Sequence, residues 1–335
     1  MKAVFRCDAT AAIGFGHLSR CIALAEAFRQ CGVESVFAGQ FDADASDQVA
    51  ATGFTSHGFE APVNSSSAAE ELEGIEADFV VLDSYRADEA YLSDLKCMGH
   101  RTVIIDDFCK LSAYPCDAIL NFTWEAPLLS YPEEPALILG HNHLLARRRL
   151  VEARQGSVDR NRDGVVENLL VAIGGSDPKG LALRIVGVLG EINRDVTVRV
   201  LGQPNAQLTA AIEPFAEGSA IVARQPDLSE QLQWADAVIS GGGLIKYESA
   251  YMGVPAAAIA QNEAQDGETK VFSGAGLVFD LGLADTVSDD GLADRLNTFL
   301  NDAAMRAKMA GLMRESFIAD PSGNAAKAIL KALER

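Results

Sequence analysis

Short apolar runs alternate along the chain with longer segments in which apolar residues recur at helical spacing. Most of these runs are apolar at successive positions, which is typical of parallel strands covered by helices on both faces. The alternation therefore predicts an α/β fold in which crossover helices join parallel strands. The predicted strands are Lys2–Arg6, Ser35–Ala38, Phe79–Asp83, Thr102–Asp106, Ala118–Asn121, Asn168–Ile173, Thr197–Leu201, Ala237–Ser240 and Ala256–Ala260.

The least periodic and most polar interval, residues 152–162 (EARQGSVDRNR), lies close to the middle of the 335 residues. Domains usually contain about 100–200 residues, so a chain of this length predicts two domains. We expect an N-terminal domain over 1–150, a C-terminal domain over 151–335, and the linker in the polar interval. No window approaches the roughly 18 consecutive apolar residues of a spanning helix, so we expect no stable membrane anchor.

The charge balance changes the choice of partners. The chain has 28 Lys and Arg against 47 Asp and Glu, a net charge of −19, which repels a phosphate backbone at long range and makes nucleic acid a poor candidate. A helix N-terminus can still bind a small anion locally. The six cysteines lie within the first 116 residues without a C-x-x-C pair or a secretory leader, which predicts reduced thiols and a cytoplasmic location.

Three predicted strands run into glycine-rich turns that open helices, at residues 5–17 (FRCDATAAIGFGH), 171–178 (VAIGGSDP) and 238–248 (VISGGGLIKYE). Glycine lets the backbone approach a ligand, and the N-terminus of the following helix favours phosphate. The same glycines also serve tight packing of strand on helix, so both interpretations stay open. None of the turns matches a dinucleotide or P-loop fingerprint. The candidate nucleotide-binding residues of the later two turns are Gly174, Gly175, Ser176, Gly242 and Gly243.

His17 follows Gly14 and Gly16 directly and opens an amphipathic segment, which places it on the first turn of a helix. The positive end of the helix dipole disfavours the imidazolium, so this histidine is a candidate proton acceptor. The alternative is a histidine that caps or packs the helix end.

Carboxylates follow two successive predicted strands, as Asp83 with Tyr85 and as Asp106 with Asp107. Ligands bind at the carboxyl edge of an open α/β sheet, where a carboxylate can orient a histidine or hold a sugar hydroxyl. Asp83 and Tyr85 are the better functional candidates. For Asp107 a helix N-cap is an equally good interpretation.

The turn at 238–248 carries further chemistry. Lys246 could neutralise a phosphate, and Glu248 could accept two hydrogen bonds from a ribose diol; the alternative is that both lie on a solvated helix face. Asp177 followed by Pro178 predicts an N-cap and a helix start. His141 and His143 have no nearby acidic or thiol partners to complete a metal site, so neither a metal nor another cofactor is expected.

Four segments together resemble the UDP-sugar hydrolases of the pseudaminic acid pathway, the PseG type, which are themselves similar to MurG-type glycosyltransferases. The segments are FRCDATAAIGFGHLSRCIALAEAF, LDSY, IGGSDP and GGG…YES…MGVP, and they span nearly the whole chain. The most specific of their patterns is G-x-G-H-x-x-R, here Gly14, Gly16, His17 and Arg20.

The resemblance implies a GT-B architecture: two Rossmann-like domains with a cleft, the C-terminal one holding the nucleotide and the N-terminal one the sugar. It implies removal of UDP from a 2,4-diacetamido-2,4,6-trideoxy sugar in nonulosonic (pseudaminic-type) acid biosynthesis. From the residues we expect this hydrolysis to invert the anomeric carbon and, since no metal-ligand set is visible in the sequence, to be metal-independent. His17 would be the catalytic base, with Asp83 and Tyr85 on the sugar side and Glu248 on the ribose. The remaining substrate-binding positions that it implies are Gly14, Gly16, Arg20, Asn262 and Glu263.

The chain departs from this family after the last glycine, where small hydroxyl residues are usual and Leu244, Ile245 and Lys246 stand instead. Phosphate binding is then expected to depend on backbone amides and Lys246. A GT-B glycosyltransferase of surface polysaccharide biosynthesis, using a nucleotide-sugar donor, is the alternative function, and a non-catalytic nucleotide-sugar sensor is a third. The sugar, the base and the oligomeric state do not follow from the sequence.

Overall fold

A computed structural model describes residues 1–63, 72, 74–174, 177–192, 195–223 and 225–334. The chain divides into two compact units. The first unit combines Met1–Arg148 with Ile318–Arg335, and the second comprises Arg149–Phe317. No helix in the described ranges has the length and apolar character needed to cross a membrane.

The first unit is built on a seven-stranded sheet in the order β3-β2-β1-β4-β5-β6-β7, in which every pairing is parallel. Its strands are β1 (Lys2–Cys7), β2 (Glu34–Gly39), β3 (Thr55–Gly58), β4 (Phe79–Asp83), β5 (Thr102–Ile105), β6 (Ala118–Asn121) and β7 (Ala136–Leu139). Its helices are α1 (Gly16–Gln30), α2 (Ala43–Ala51) and α3 (Glu89–Cys97), with short 3₁₀ turns at Ala126–Leu128 and His141–His143.

The second unit is built on a six-stranded sheet in the order β10-β9-β8-β11-β12-β13, again with parallel pairings. Its strands are β8 (Asn168–Ala172), β9 (Thr197–Leu201), β10 (Ala220–Val222), β11 (Ala237–Gly241), β12 (Ala256–Ala260) and β13 (Phe279–Leu283). Its helices are α4 (Arg148–Val158), α5 (Leu181–Ile192), α6 (Ala206–Ile212), α7 (Ser229–Trp234), α8 (Leu244–Tyr251), α9 (Glu263–Gly274), α10 (Asp289–Asn301) and α11 (Ala303–Ser316). The last helix of the chain is α12 (Pro321–Leu333).

Each unit buries its own apolar core between its sheet and the helices that cover it. In the first unit Val80 and Ile104 of the sheet pack in one cluster with Leu92 of α3. In the second, Val171 and Ile239 share a cluster with helix residues such as Ile185 and Phe299. These buried strands carry the unbroken apolar runs that the sequence shows.

The nine predicted strands are present, with ends that differ by a residue in several cases. The structure adds β3, β7, β10 and β13 within the described residues, and these are the two edge strands of each sheet. An edge strand is paired on one side and covered incompletely, so it has no need of a continuous apolar run. All four residues of β3 are exposed, for example.

The expected domain boundary needs two corrections. The sequence predicts residues 318–335 in the second domain, but α12 belongs to the first unit. There the Ser322 hydroxyl accepts a hydrogen bond from the Ala146 amide at 2.8 Å and donates to the Ala146 carbonyl at 2.7 Å. The chain thus returns to its first unit at the end.

The polar interval 152–162 is not a loose linker, because most of it lies in α4. Three of its polar side chains, those of Arg154, Ser157 and Arg162, are buried and donate to carbonyl groups. Arg154 donates to Phe317 O at 2.7 Å, and Ser157 donates to Met252 O at 2.8 Å. Arg162 donates to Ala235 O at 3.0 Å. The polarity of these three residues reflects internal hydrogen bonding, which composition alone does not distinguish from exposure.

Replacing Ile329 tests the return of α12 to the first unit. This side chain is fully buried, so Ile329→Ala should destabilise that unit by about 2–5 kcal/mol through lost burial and a cavity. The measurement is urea unfolding followed by Trp124 fluorescence in a Trp234→Phe background. The exposed neighbour Lys331 supplies the control, since Lys331→Ala should stay within about 0.5 kcal/mol of its parent. An unchanged first-unit transition in Ile329→Ala would contradict the assignment.

Candidate functional site

The loop after β1 presents His17 at the carboxyl edge of the first sheet. Gly14 has a φ of 92°, a left-handed conformation that favours glycine, and its amide donates to Thr10 O at 2.8 Å. This turn leads directly into α1, whose first residue is the exposed Gly16. His17 therefore lies in the first helical turn, as expected, with 13% of its side chain exposed.

Asp83 holds the imidazole from the neighbouring strand. It ends β4, which pairs with β1 so that Asp83 lies opposite Cys7, and its side chain is fully buried. The distance from His17 Nδ1 to Asp83 Oδ1 is 2.6 Å. An ionised carboxylate has no proton to give, so Nδ1 carries the hydrogen and donates it. The Nε2 atom of a neutral His17 is then left as the proton acceptor.

Arg20 lies three residues further along α1 and binds two carboxylates at once. Its Nε and Nη2 atoms donate to the two oxygens of Asp83, both at 2.6 Å. Its Nη1 atom donates to Asp107 Oδ2 at 2.7 Å and to Oδ1 at 3.0 Å. Burial alone would lower the pKa of Arg20, but the charges of Asp107 and Asp83 hold that pKa well above its usual value.

The same ion pairs keep Asp83 ionised. Burial alone would raise its pKa, but the charge of Arg20, and after it His17, hold the pKa of Asp83 well below the usual range. The carboxylate is therefore a permanent acceptor for His17 Nδ1 near neutral pH.

Tyr85 closes the cluster on its open side. Its hydroxyl donates to Asp107 Oδ2 at 2.5 Å, and its ring lies edge-on to His17 with centroids 4.5 Å apart. Desolvation of the hydroxyl and the charge of Asp107 raise the pKa of Tyr85, so it stays a neutral donor. The residue as a whole is 59% exposed, which leaves a ring surface beside the imidazole.

Two sequence-based expectations change in this cluster. The resemblance predicts that Arg20 binds substrate, but its buried guanidinium is directed at Asp83 and Asp107, so it positions those groups instead. For Asp107 the sequence allows a ligand role or a helix cap. In the described residues no helix begins there, and the carboxylate joins Arg20 to Tyr85. The sequence could have indicated this role of Asp107, because Asp107 follows the strand that neighbours the strand of Asp83.

In the second unit the candidate residues follow β8, β11 and β12, which are neighbours in the sheet. Gly174 follows β8 with a φ of 135°, which favours glycine. Gly175 and Ser176, two of the expected phosphate ligands, lie outside the described residues. Asp177 caps α5 by accepting hydrogen bonds from the amides of Leu181 and Ala182, so this helix begins at Leu181 rather than directly after the cap.

Gly241 ends β11, and Gly242 and Gly243 follow it; packing requires glycine at only some of these positions. A side chain on Gly241 would lie 2.2 Å from Ile173 O, and one on Gly242 would lie 2.9 Å from Gln265 Cβ. A side chain on Gly243 would meet nothing within 4 Å. Gly243 is exposed and is the N-cap of α8. Packing thus requires the first two glycines, whereas the third leaves open space in front of the helix amides.

Lys246 does not take the place that the sequence suggested. Its side chain is fully buried, and its ammonium donates to Gly242 O at 2.6 Å, Glu268 Oε2 at 2.9 Å and Thr269 Oγ1 at 3.3 Å. An ammonium has three N–H donors, so these acceptors occupy all of them. The expectation that Lys246 meets a phosphate directly is therefore wrong for this structure.

Glu248 lies one turn into α8 and is half-buried, on the face that also carries Leu244 and Ile245. Asn262 is the N-cap of α9, and its side chain accepts from the Gln265 amide at 3.0 Å. Glu263 is the exposed first residue of that helix. In the described ranges no group of three or more His, Cys, Asp or Glu is placed to hold a metal ion.

Comparisons with known proteins find two distant relatives in sequence. No protein-family model matches the chain. An uncharacterised protein of Methanocaldococcus jannaschii is 22% identical over 277 residues, which cover 79% of this chain and 57% of that protein. The spore coat polysaccharide biosynthesis protein SpsG of Bacillus subtilis is 29% identical over 148 residues, 42% of this chain and 43% of SpsG. The chain spans about half the length of the curated relatives it matches.

Solved structures match over the whole length. MurG of Acinetobacter baumannii superposes with a TM-score of 0.67 at 16% identity, covering 100% of this chain and 99% of MurG. The glycosyltransferase VinC, solved in complex with dTDP, gives a TM-score of 0.64 at 14% identity and covers 100% of both chains. The chain therefore has the GT-B fold of two Rossmann-like units, which confirms the predicted fold class.

The buried Asp83 gives a pH dependence of stability whose sign is fixed. Its pKa is lower in the folded chain than the unfolded value of about 3.9, so its ion pairs stabilise the fold above that pH and are lost as the pH falls through the folded value. The stability gap between wild type and Asp83→Asn should be full above about pH 5 and shrink below about pH 4. Urea unfolding followed by Trp124 fluorescence in the Trp234→Phe background measures it.

The control for this series is Asp44→Asn, which changes an exposed carboxylate in the first turn of α2 and should shift stability little at any pH. A gap for Asp83→Asn that is absent at neutral pH, or that stays constant into strong acid, would contradict the assigned ion pairs.

Proposed function

We propose that the chain is a nucleotide-sugar hydrolase that releases UDP from a 2,4-diacetamido-2,4,6-trideoxy sugar in nonulosonic (pseudaminic-type) acid biosynthesis. The observation that carries this proposal is the cluster of His17, Asp83 and Arg20 at the carboxyl edge of the first sheet. It supplies a base oriented by a buried carboxylate, as hydrolysis by activated water requires. The GT-B fold and the similarity to a polysaccharide biosynthesis protein support the nucleotide-sugar part.

The chemistry proceeds in one displacement. A water oxygen attacks the anomeric carbon while its proton passes to Nε2 of neutral His17. The bond from that carbon to the diphosphate oxygen breaks, and UDP leaves with the electron pair. Attack from the face opposite UDP inverts the anomeric configuration through an oxocarbenium-like transition state.

The cluster stabilises the charge that this step creates on His17. As the imidazole gains a proton, Asp83 already faces Nδ1 as a carboxylate, so the new imidazolium forms beside a fixed negative charge. Arg20 maintains that charge and holds Asp83 through two hydrogen bonds. Tyr85, whose ring lies beside His17, contributes to the wall that receives the sugar.

The second unit holds the nucleotide in this proposal. The first amides of any α-helix have no carbonyl acceptor within the helix, and the N-terminus is the positive end of the helix dipole. Both properties favour binding of the diphosphate at the N-terminus of α8. Gly243 leaves the space for it, and Glu248 accepts hydrogen bonds from the ribose diol. Nucleotide diphosphate binding by the fold neighbour VinC supports this part.

The alternative is a glycosyltransferase in which His17 activates an acceptor hydroxyl in place of water. The fold neighbours MurG and VinC support this alternative, since VinC is a glycosyltransferase and MurG shares the fold. The two functions differ in one observable: a hydrolase releases the nucleotide with water alone, whereas a transferase needs an acceptor.

Replacing His17 tests its role as the base. His17→Asn should lower kcat for UDP release by about 10²- to 10⁴-fold, because general base catalysis is lost, and should leave UDP affinity within a few-fold. Chromatographic assay of released UDP gives kcat, and calorimetry gives the affinity. His57→Asn, which changes an exposed histidine of β3, should behave as wild type. Activity above a tenth of wild type in His17→Asn would refute the assignment.

Replacing Glu248 tests the ribose contact. Glu248→Ala should weaken uridine and UDP by the same factor, about 10- to 150-fold, since both ligands contain the diol and hydrogen bonds to charged groups contribute about 1.5–3 kcal/mol. Calorimetry with both ligands measures the two factors. Glu191→Ala, at an exposed glutamate of α5, is the control. Loss of UDP binding with uridine binding retained would place Glu248 near the phosphates and contradict the ribose role.

A further inference from the structure

The buried position of Lys246 raises the question of what a cation does beneath the glycine turn. Lys246 is in the first turn of α8, and its three donors meet Gly242 O, Glu268 Oε2 and Thr269 Oγ1. Glu268 and Thr269 both belong to α9. One side chain thus joins the turn before α8 to the neighbouring helix.

The contact with Gly242 O fixes the direction of one peptide group. In a trans peptide the carbonyl and the following N–H point in opposite directions. The carbonyl of Gly242 points at the buried ammonium, 2.6 Å away, so the N–H of Gly243 points away from it. Gly243 is the exposed residue of this turn. The N–H of Gly243 therefore points away from the buried ammonium, and it belongs to the exposed residue of the turn.

Glu268, which binds the ammonium of Lys246, is itself held in place. Glu268 accepts from Lys246 on one oxygen and from the Tyr247 hydroxyl on the other, the latter at 2.7 Å. Gln265, one turn earlier in α9, packs so closely on Gly242 that a side chain there would lie 2.9 Å from Gln265 Cβ. The ammonium therefore bonds the turn to a helix that already packs against it.

We infer that Lys246 is a positioning residue, which acts on a bound nucleoside diphosphate through the peptide between Gly242 and Gly243. The lysine holds that peptide so that the Gly243 N–H donates to a phosphate oxygen, and Glu268 neutralises the lysine's charge. The inference rests on the proposed function for the identity of the ligand. It accounts for a buried lysine where a direct phosphate contact would need an accessible one.

A direct phosphate contact by Lys246 and a positioning role of Lys246 predict opposite changes in UDP affinity for Glu268→Gln. If Lys246 bound phosphate directly, Glu268→Gln would remove a competing negative charge and tighten UDP binding. If Lys246 positions the peptide, Glu268→Gln removes the anchor, frees the turn and weakens UDP binding. The glutamine has the same shape as glutamate, so packing is retained.

The experiment compares UDP and uridine binding by calorimetry in the full chain. Lys246→Met and Glu268→Gln should each weaken UDP by about 10- to 100-fold, the factor for one misplaced hydrogen bond to a charged group, and weaken uridine much less. Tyr247→Phe, which removes only the hydroxyl bonded to Glu268, should give a smaller loss of the same kind. Lys270→Met is the matched control, since Lys270 pairs with Asp266 on the exposed side of α9.

Tighter UDP binding in Glu268→Gln, or wild-type affinity in Lys246→Met, would overturn the inference. Equal losses of affinity for uridine and UDP would also overturn it, because uridine has no phosphate. Such losses would indicate general damage to the unit and not a displaced phosphate contact. Should Lys246→Met fail to fold, Glu268→Gln and Tyr247→Phe still show whether UDP affinity falls or rises, and whether uridine affinity changes with it.

Amide hydrogen exchange tests, without any ligand, whether Lys246 holds the glycine turn. A peptide covering residues 240–245 should exchange faster in Lys246→Met and Glu268→Gln than in wild type or Lys270→Met, and unchanged exchange would overturn the inference. If wild type bound neither UDP nor uridine, the proposed function would fail, while exchange would still judge whether Lys246 fixes the turn.

Discussion

The candidate site of the first unit depends on one buried cation, Arg20, held between the carboxylates of Asp83 and Asp107. Two buried negative charges so close together would repel each other and lose their hydration without it. With Arg20 in place, Asp83 stays ionised and faces His17, and Asp107 holds the Tyr85 hydroxyl. Four side chains from α1 and the ends of β4 and β5 are thereby fixed around a single imidazole.

The second unit uses a buried cation in a related way. Lys246 lies on a helix that follows a strand, as Arg20 does, and its charge is balanced inside the unit by Glu268. Both cations bond groups inside their own unit: Arg20 bonds two carboxylates beside the imidazole, and Lys246 bonds a carboxylate and a carbonyl. In our inference Lys246 thereby orients a backbone amide, as Arg20 holds the carboxylate that orients the imidazole. In each unit the buried cation restricts the conformation of groups at the carboxyl ends of the strands.

The sequence predicted the inner strands and the strand-end positions of His17, Asp83 and Tyr85, because burial on both faces and the geometry of parallel sheets leave direct traces in residue order. It did not predict edge strands such as β3, which need no apolar run. It also placed Lys246 at a phosphate, since a sequence shows that a lysine follows a glycine turn but not which side of the helix its ammonium occupies. The buried arginine of the polar interval, Arg154, misled the boundary prediction for the same reason.

In the proposed function, His17 and Asp83 activate a water molecule for attack on a nucleotide sugar. Proton NMR of the pure wild-type protein with UDP-2,4-diacetamido-2,4,6-trideoxy sugar and no acceptor tests this step. We expect UDP and free sugar to appear in equal amounts, and the first sugar anomer formed to have the inverted configuration. A substrate that stays intact until an acceptor hydroxyl is supplied, or a first product with retained configuration, would contradict it.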